Sequence, residues 1–297
     1  MSSADFLRLL ALSAIWGASF PFMRLAVPVL GPSWLIFFRV GLAALFLLGV
    51  ALWLGSRLNI QRHWRHYAII GVLNSALPFF LYAYAAKTIP VALLSVLNAT
   101  APIFGAILTA LLSRTMPRRN VVIGLCLGIS GVTLLAGVES LHLPDGALWG
   151  IAAALGAALL YSIASAYSRT APAIEPLANA HGSLWFATLC MVPGILTAPT
   201  PSTALLTPTV VLSVIGLGVL CSGVAFLLYF RLIANIGTTS ALTVTFLIPL
   251  FGITFATLFM GESIGWHTLV GGGIVLLGTG LVTGFKPSNL WQRPLKS

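Results

Sequence analysis

Asn98 interrupts an apolar run, three residues after Ser95 and four before Pro102. On a helix Ser95, Asn98, Pro102 and Thr109 share one face. A carboxamide is costly against hydrocarbon, so Asn98 is expected to face protein or water. Pro102 lacks a backbone donor. It should bend the helix and free a carbonyl for another partner. The pattern returns with Thr245 and Pro249. One reading is a pair of bent segments flanking a small molecule, with Pro102 and Pro249 as hinges. The other is two tolerated prolines and an interhelical hydrogen bond, about 0.6 kcal/mol in a membrane.

Other residues suit the same chemistry, which is binding and not bond-making. Asn74, Pro78 and Tyr82 recur at a spacing of four, and Tyr229 repeats Tyr82 further along. A phenol packs against a ligand and also hydrogen-bonds it. Trp16 with Ser19, Tyr161 with Ser165, and Trp185 lie well inside apolar runs, as an aromatic-lined cavity would need. Packing against lipid or neighbouring helices is the alternative for each. Arg24 and Arg39 lie about five residues inside the ends of their runs. They could attract a carboxylate, or snorkel across about 7–8 Å of helix rise to the headgroups. The candidate substrate-binding set is therefore Trp16, Ser19, Arg39, Asn74, Tyr82, Asn98, Tyr161, Ser165, Trp185 and Thr245.

Several chemistries have no residues to carry them. There is no HExxH, no GxSxG and no pair of mid-run aspartates, which argues against an intramembrane enzyme. Neither a repeated pore loop nor a charge ring marks a channel. Cys126, Cys190 and Cys221 lie in apolar runs without metal-ligand spacing, so no metal and no cofactor is expected. The acids are Asp5, Glu139, Asp145, Glu175 and Glu262, none of them near mid-run. Exchange of a cation for a proton through a buried carboxylate is disfavoured. His181 is the one histidine expected inside a helix. It could handle protons, but a structural role is the expectation.

The elements that must position these residues are membrane helices. Of 297 residues, 59% are hydrophobic and 7% charged; a soluble chain carries roughly 25% charged residues. Mean hydropathy is +1.04. Such a surface faces lipid. The net charge of +10 does not indicate nucleic acid, because the cations sit between apolar runs where anionic headgroups attract them. About 20 apolar residues span a bilayer. Ten segments qualify: 6–29, 34–54, 66–86, 91–112, 120–138, 146–168, 177–198, 209–232, 238–259 and 266–285. The first has no small-residue cleavage site and reads as a retained helix. Twelve of the fifteen Lys and Arg fall in alternate loops and at the termini, which predicts both termini in the cytoplasm. Trp34, Trp53, Trp64 and Trp266 mark interfacial belts. Residues 287–297 form a polar tail.

The chain also repeats itself. At an offset of 147, residues 76–137 overlay 223–284 without a gap. Phe79, Leu81 and Tyr82 meet Phe226, Leu228 and Tyr229. Pro102, Phe104 and Gly105 meet Pro249, Phe251 and Gly252. Five helices per repeat is an odd number, so the second repeat, 139–286, inserts upside down relative to the first, 1–138. Secondary transporters use this plan, with the solute site between the repeats. Gly124 with Gly128, and Gly280 with Gly284, form small-xxx-small pairs. These predict that helices 5 and 10 act as close-packed struts outside the cavity.

The chain resembles the EamA-type exporters of the drug/metabolite transporter superfamily. The likeness rests on Trp16-Gly17-Ala18-Ser19, Arg39, Ala101-Pro102-Ile103-Phe104, Ile248-Pro249-Leu250-Phe251 and the Gly261-Glu262 pair before a glycine-rich last helix. It is most similar to the aromatic amino-acid and methyl viologen exporter type. The resemblance implies two inverted five-helix repeats around a central cavity, in an all-α integral membrane protein of a bacterial inner membrane. It implies export of amino acids and related metabolites, with a proton-driven multidrug or other metabolite exporter as the alternative. Facilitated or weakly coupled movement is expected. So is a monomer, whose partners are the lipid bilayer and a small-molecule substrate. Arg114-Thr115 stands where the other repeat has Gly261-Glu262, so Glu262 has no partner for a paired mechanistic role.

Overall fold

The structure, a computed structural model, describes residues 2–140, 146–202, 206–241 and 243–284, the side chains of 136–140 and 238–239 excepted. The tail 287–297, and the charges expected at Glu139, Asp145, Lys286, Arg293 and Lys296, lie outside them.

The first helix, α1 (Ser3–Leu54), has 52 residues. Straight, it would run about 78 Å, more than twice the hydrocarbon thickness. It breaks at Gly31, whose φ of 69° and ψ of 165° are open to glycine and strained for other residues. Pro28 and Pro32 flank the break. The two arms fold back on each other: Arg39 Nη1 comes within 3.7 Å of Met23 Sδ, although sixteen residues of straight helix would separate them by about 24 Å. The expected runs 6–29 and 34–54 are these arms.

A second segment is built from α2 (Ile60–Gly71) and α3 (Leu77–Ala85), joined through a π-helical stretch at Val72–Ala76. It starts earlier than the apolar run 66–86 because the polar residues around Arg62 and Arg65 continue the helix beyond the apolar limit. Next, α4 (Val91–Asn98) and α5 (Ala101–Ser113) are separated by a turn at Ala99 and Thr100. They are followed by α6 (Arg119–Ser140), α7 (Ala147–Ser168) and α8 (Pro176–Thr197). Then α9 (Pro208–Ile215) leads through a π-helical stretch, Gly216–Val224, into α10 (Ala225–Ala241). Gly237 breaks α10 with φ 80° and ψ 161°. Finally come α11 (Val244–Met260) and α12 (Trp266–Thr283).

The described residues form helices joined by short connections, without strands. Seven segments among them are long and apolar enough to cross a membrane, and two shorter apolar helices, Arg119–Leu135 and Val244–Met260, accompany them. Large apolar side chains cover the outside, among them Leu111, Leu112, Trp149, Leu189, Leu258 and Phe259. A water-facing surface of this kind would aggregate; a lipid-facing one is satisfied. Trp53, Trp64 and Trp266 are exposed, as interfacial anchors require.

The close pair of helices is α6 with α12. A Cβ on Gly124 would lie 2.6 Å from the Gly278 carbonyl oxygen, and one on Gly131 2.9 Å from the Gly271 oxygen. Glycine lets these backbones touch. The expectation that helices 5 and 10 pack together is met, but through different residues on α12. Gly280 has Phe246 3.9 Å away and Gly284 ends the helix at φ 66°; the contact is made by Gly271 and Gly278.

Candidate solute-binding cavity

A cavity of about 740 Å³ lies among α1, α3, α4, α5, α7, α10, α11 and the two π-helical stretches. The two close-packed glycine-bearing helices are not wholly outside it, as their spacing predicts: Val121 of α6 and Val282 and Thr283 of α12 line one end. Helical breaks shape it. Asn74 lies in the first π-helical stretch and Cys221 in the second. The offset of 147 carries 72–76 onto 219–223, inside the second stretch. Single π turns inside α-helices re-aim side chains and recur at functional sites. The bend ahead of Pro102 also exists: the chain turns at Ala99 and Thr100, and the freed Ala99 carbonyl accepts from Thr279 Oγ1 at 2.9 Å. Beside it, the Ala101 carbonyl accepts from Ser162 Oγ at 2.6 Å. Pro249 behaves differently. It is buried inside an unbroken α11 and does not line the cavity, although Pro102 does.

Aromatic rings form the walls. Trp16 packs on Tyr229 with centroids 5.4 Å apart. Tyr82 meets Phe20 edge-on at 6.0 Å and Tyr161 at 6.0 Å. The Tyr82 hydroxyl donates to Asn98 Oδ1 at 3.0 Å. This joins α3 to α4 and leaves the Asn98 NH₂ group as a donor.

Arg39 is 3% exposed, enclosed by protein and not extended along the surface as a snorkelling side chain would be. Its Nε donates to Ser222 Oγ at 3.1 Å, and its guanidinium lies 3.7 Å above the centroid of Phe79. The Ser222 hydroxyl in turn donates to the Leu217 carbonyl at 2.9 Å. Arg24 is no part of the cavity. Its Nη1 donates at 2.5 Å to the Ala86 carbonyl at the end of α3.

Of the ten residues proposed from the sequence, nine line this one cavity: Trp16, Ser19, Arg39, Asn74, Tyr82, Asn98, Tyr161, Ser165 and Thr245. Trp185 does not. Its indole N–H donates to His181 Nε2 at 2.7 Å. His181 is buried and also away from the cavity, and its Nδ1 has no partner. Nor is His181 the sole histidine held inside a helix. His66 on α2 is 5% exposed, with Asn179 Oδ1 2.9 Å from Nε2 and the Tyr167 hydroxyl 3.3 Å from Nδ1. The polar surroundings of His66 in sequence hid its burial. Sequence reasoning also missed Phe79, Cys221 and Phe226 in the lining and Ser222 beneath Arg39. The signal was available: the 147 offset pairs Asn74 and Ser75 with Cys221 and Ser222.

The two ends of the cavity differ. Toward one, the lining continues past Ser113 to Thr115, Pro117, Arg169 and Gly284. At the other, Glu262 from the connection between α11 and α12 caps the start of α4. Its two oxygens accept from the Val91 and Ala92 N–H groups at 2.8 and 3.1 Å. Pro90 at the N-cap position provides no side-chain bond there. The carboxylate satisfies orphan donors at the positive end of the helix.

Comparison with known proteins agrees with this architecture. The sequence profile of the EamA-like transporter family matches twice, over residues 5–137 and 148–284. An uncharacterized transporter of Archaeoglobus fulgidus is 25% identical over 297 residues, covering 95% of this chain and 98% of the relative. A probable terminal-alkyne amino-acid exporter of Streptantibioticus cattleyicolor is 24% identical over 277 residues, covering 90% and 89%. The uncharacterized inner membrane transporter YedA of Escherichia coli is 25% identical over 277 residues, covering 93% and 89%.

Proposed function

The chain belongs to the EamA-like transporter family, and from that premise, a multi-pass membrane transporter and not an enzyme, we propose that it exports amino acids and related small metabolites. The carrying observation is the cavity of about 740 Å³, on which nine polar and aromatic residues from six helical elements converge. A site of this size with few polar groups on aromatic walls suits a small solute. The relative from Streptantibioticus cattleyicolor named as a probable amino-acid exporter supports that class. In this reading Trp16, Ser19, Arg39, Asn74, Tyr82, Asn98, Tyr161, Ser165 and Thr245 contact the solute, and Pro102 is the hinge.

The mechanism is alternating access by two inverted five-helix repeats, 1–138 and 139–286. The two separate family matches and the matched π-helical stretches support it. Counting the two arms of α1 as two spans brings the apolar segments to ten. The protein sits in the cell inner membrane as a monomer, with both termini and the tail 287–297 cytoplasmic. The cation distribution supports this orientation, and the inner membrane relative YedA supports the location. The cavity then reaches toward the cytoplasm. Movement is facilitative or weakly coupled, since no described acid lines the cavity.

Proteoliposomes loaded with unlabelled amino acid test this reading. Saturable counterflow of labelled amino acids is the expected result. Flux that rises linearly without saturation would indicate a channel. Transport of drug cations with none of the amino acids would overturn the substrate class.

A further inference from the structure

We infer that the group this cavity recognises is a carboxylate docked on Arg39, and that an amine on the solute is not required. The inference rests on the transport reading above and narrows its substrate class to aromatic or apolar carboxylates.

Arg39 is a permanent cation held 3% exposed in the cavity wall. A charge at that depth needs a counter-ion or an equivalent set of hydrogen bonds. The described acids supply neither. Asp5 pairs with Arg8 at 2.7 Å and accepts from Asn235. Glu175 accepts from Ser56. Glu262 caps α4. What the protein does provide is partial: the face of Phe79, the hydroxyl of Ser222 and the weak acceptor Met23.

A guanidinium has five N–H donors. Ser222 takes the Nε one and Met23 one on Nη1, so three remain, all at the Nη end, without a protein acceptor among the described residues. They form the planar fork that matches a carboxylate with two parallel hydrogen bonds. Phe79 below and Ser222 at the side hold the fork in one orientation, which lowers the cost of binding.

The remainder of the lining sets the body of the solute. Trp16, Phe20, Tyr82, Tyr161 and Tyr229 offer ring faces and edges to an aromatic or apolar group. The Asn98 NH₂ group is a further donor. No described carboxylate lines the cavity. An ammonium group would therefore meet a resident cation and no acid. The site selects by repelling cations as well as by attracting the carboxylate.

Three solutes with the same ring separate the possibilities: 3-phenylpropionate, L-phenylalanine and 2-phenylethylamine. Each is offered to wild-type proteoliposomes, both as labelled substrate and as competitor. The expected result is saturable uptake of phenylpropionate and phenylalanine, with phenylethylamine competing at least about tenfold more weakly. Arg39→Gln should abolish the preference for carboxylates, and Arg39→Lys should keep part of it. Wild-type competition is decisive even if Arg39→Gln fails to fold. Phenylethylamine competing as well as phenylpropionate leaves the transport reading standing and overturns this inference. A folded Arg39→Gln protein with unchanged preference does the same. No saturable uptake of any of the three overturns this inference, and counterflow of the other amino acids then decides the transport reading.

Discussion

Glu262 Oε1 accepts the backbone N–H of Val91 at 2.8 Å, across 171 positions of sequence. With the second bond to Ala92 it pins the connection after α11 to the start of α4, at the end of the cavity opposite Thr115 and Arg169. In alternating access such a tie must break when that end opens. Its counterpart at the offset of 147 is Thr115, which has no carboxylate to offer. The tie lies opposite the end toward which the cavity lining extends, at Thr115 and Arg169.

Glu262→Ala removes two charge-assisted hydrogen bonds, each about 1.5–3 kcal/mol. A cysteine introduced at Ser19 should then react faster with an impermeant maleimide from the side bearing Glu262. Glu262→Gln should give a smaller increase, since it retains one acceptor. Unchanged labelling in Glu262→Ala would remove this contact from the gate.

Tyr82 and Asn98 can be separated by chemistry. Tyr82→Phe keeps the ring contacts with Phe20 and Tyr161 but loses the bond to Asn98, at about 0.5–1.5 kcal/mol. Tyr82→Ala also empties a buried site, at about 3–5 kcal/mol. Both Tyr82→Phe and Asn98→Ala should lower counterflow several-fold while the protein elutes and melts as folded. Wild-type transport by both would exclude them from the solute site.

Gly278 and Gly280 lie two residues apart on α12 and should respond oppositely. A Cβ at 278 would lie 2.6 Å from the Gly124 oxygen and 2.7 Å from the Gly128 nitrogen, whereas at 280 the nearest atom is 3.9 Å away. Gly278→Val should separate α6 from α12 and lower the melting temperature in detergent. Gly280→Ala should be neutral or stabilising by up to about 1 kcal/mol, from helix propensity. Equal effects would contradict the helix contact.

Trp185→Phe keeps an aromatic ring but removes the donor to His181. Because neither side chain lines the cavity, the KM for counterflow should stay at its wild-type value while thermal stability falls by about 0.5–1.5 kcal/mol. A raised KM with unchanged stability would return Trp185 to the solute site.

Much of this was legible in the residues. Asn98, Thr245, Asn74 and Tyr82 could be chosen because a polar group in hydrocarbon must face inward, and inward-facing groups of separate helices meet in one cavity. Trp185 obeyed the same rule and was misplaced, because a buried partner such as His181 satisfies an indole as well as a cavity does. Helical periodicity finds the inner face of a helix but not what lies opposite that face.

The sequence by itself determined the lipid environment, the apolar segments, the 147-residue repeat and the close packing of two glycine-bearing helices. These follow from composition and local spacing, which act along the chain. Only the tertiary structure decided that Arg39 rests between Phe79 and Ser222, that Glu262 caps α4, that Gly271 and Gly278 make the helix contact, and that π turns aim Asn74 and Cys221 at the cavity. Those outcomes depend on which distant donors and surfaces come within about 3–4 Å of one another, and helical periodicity does not encode that distance.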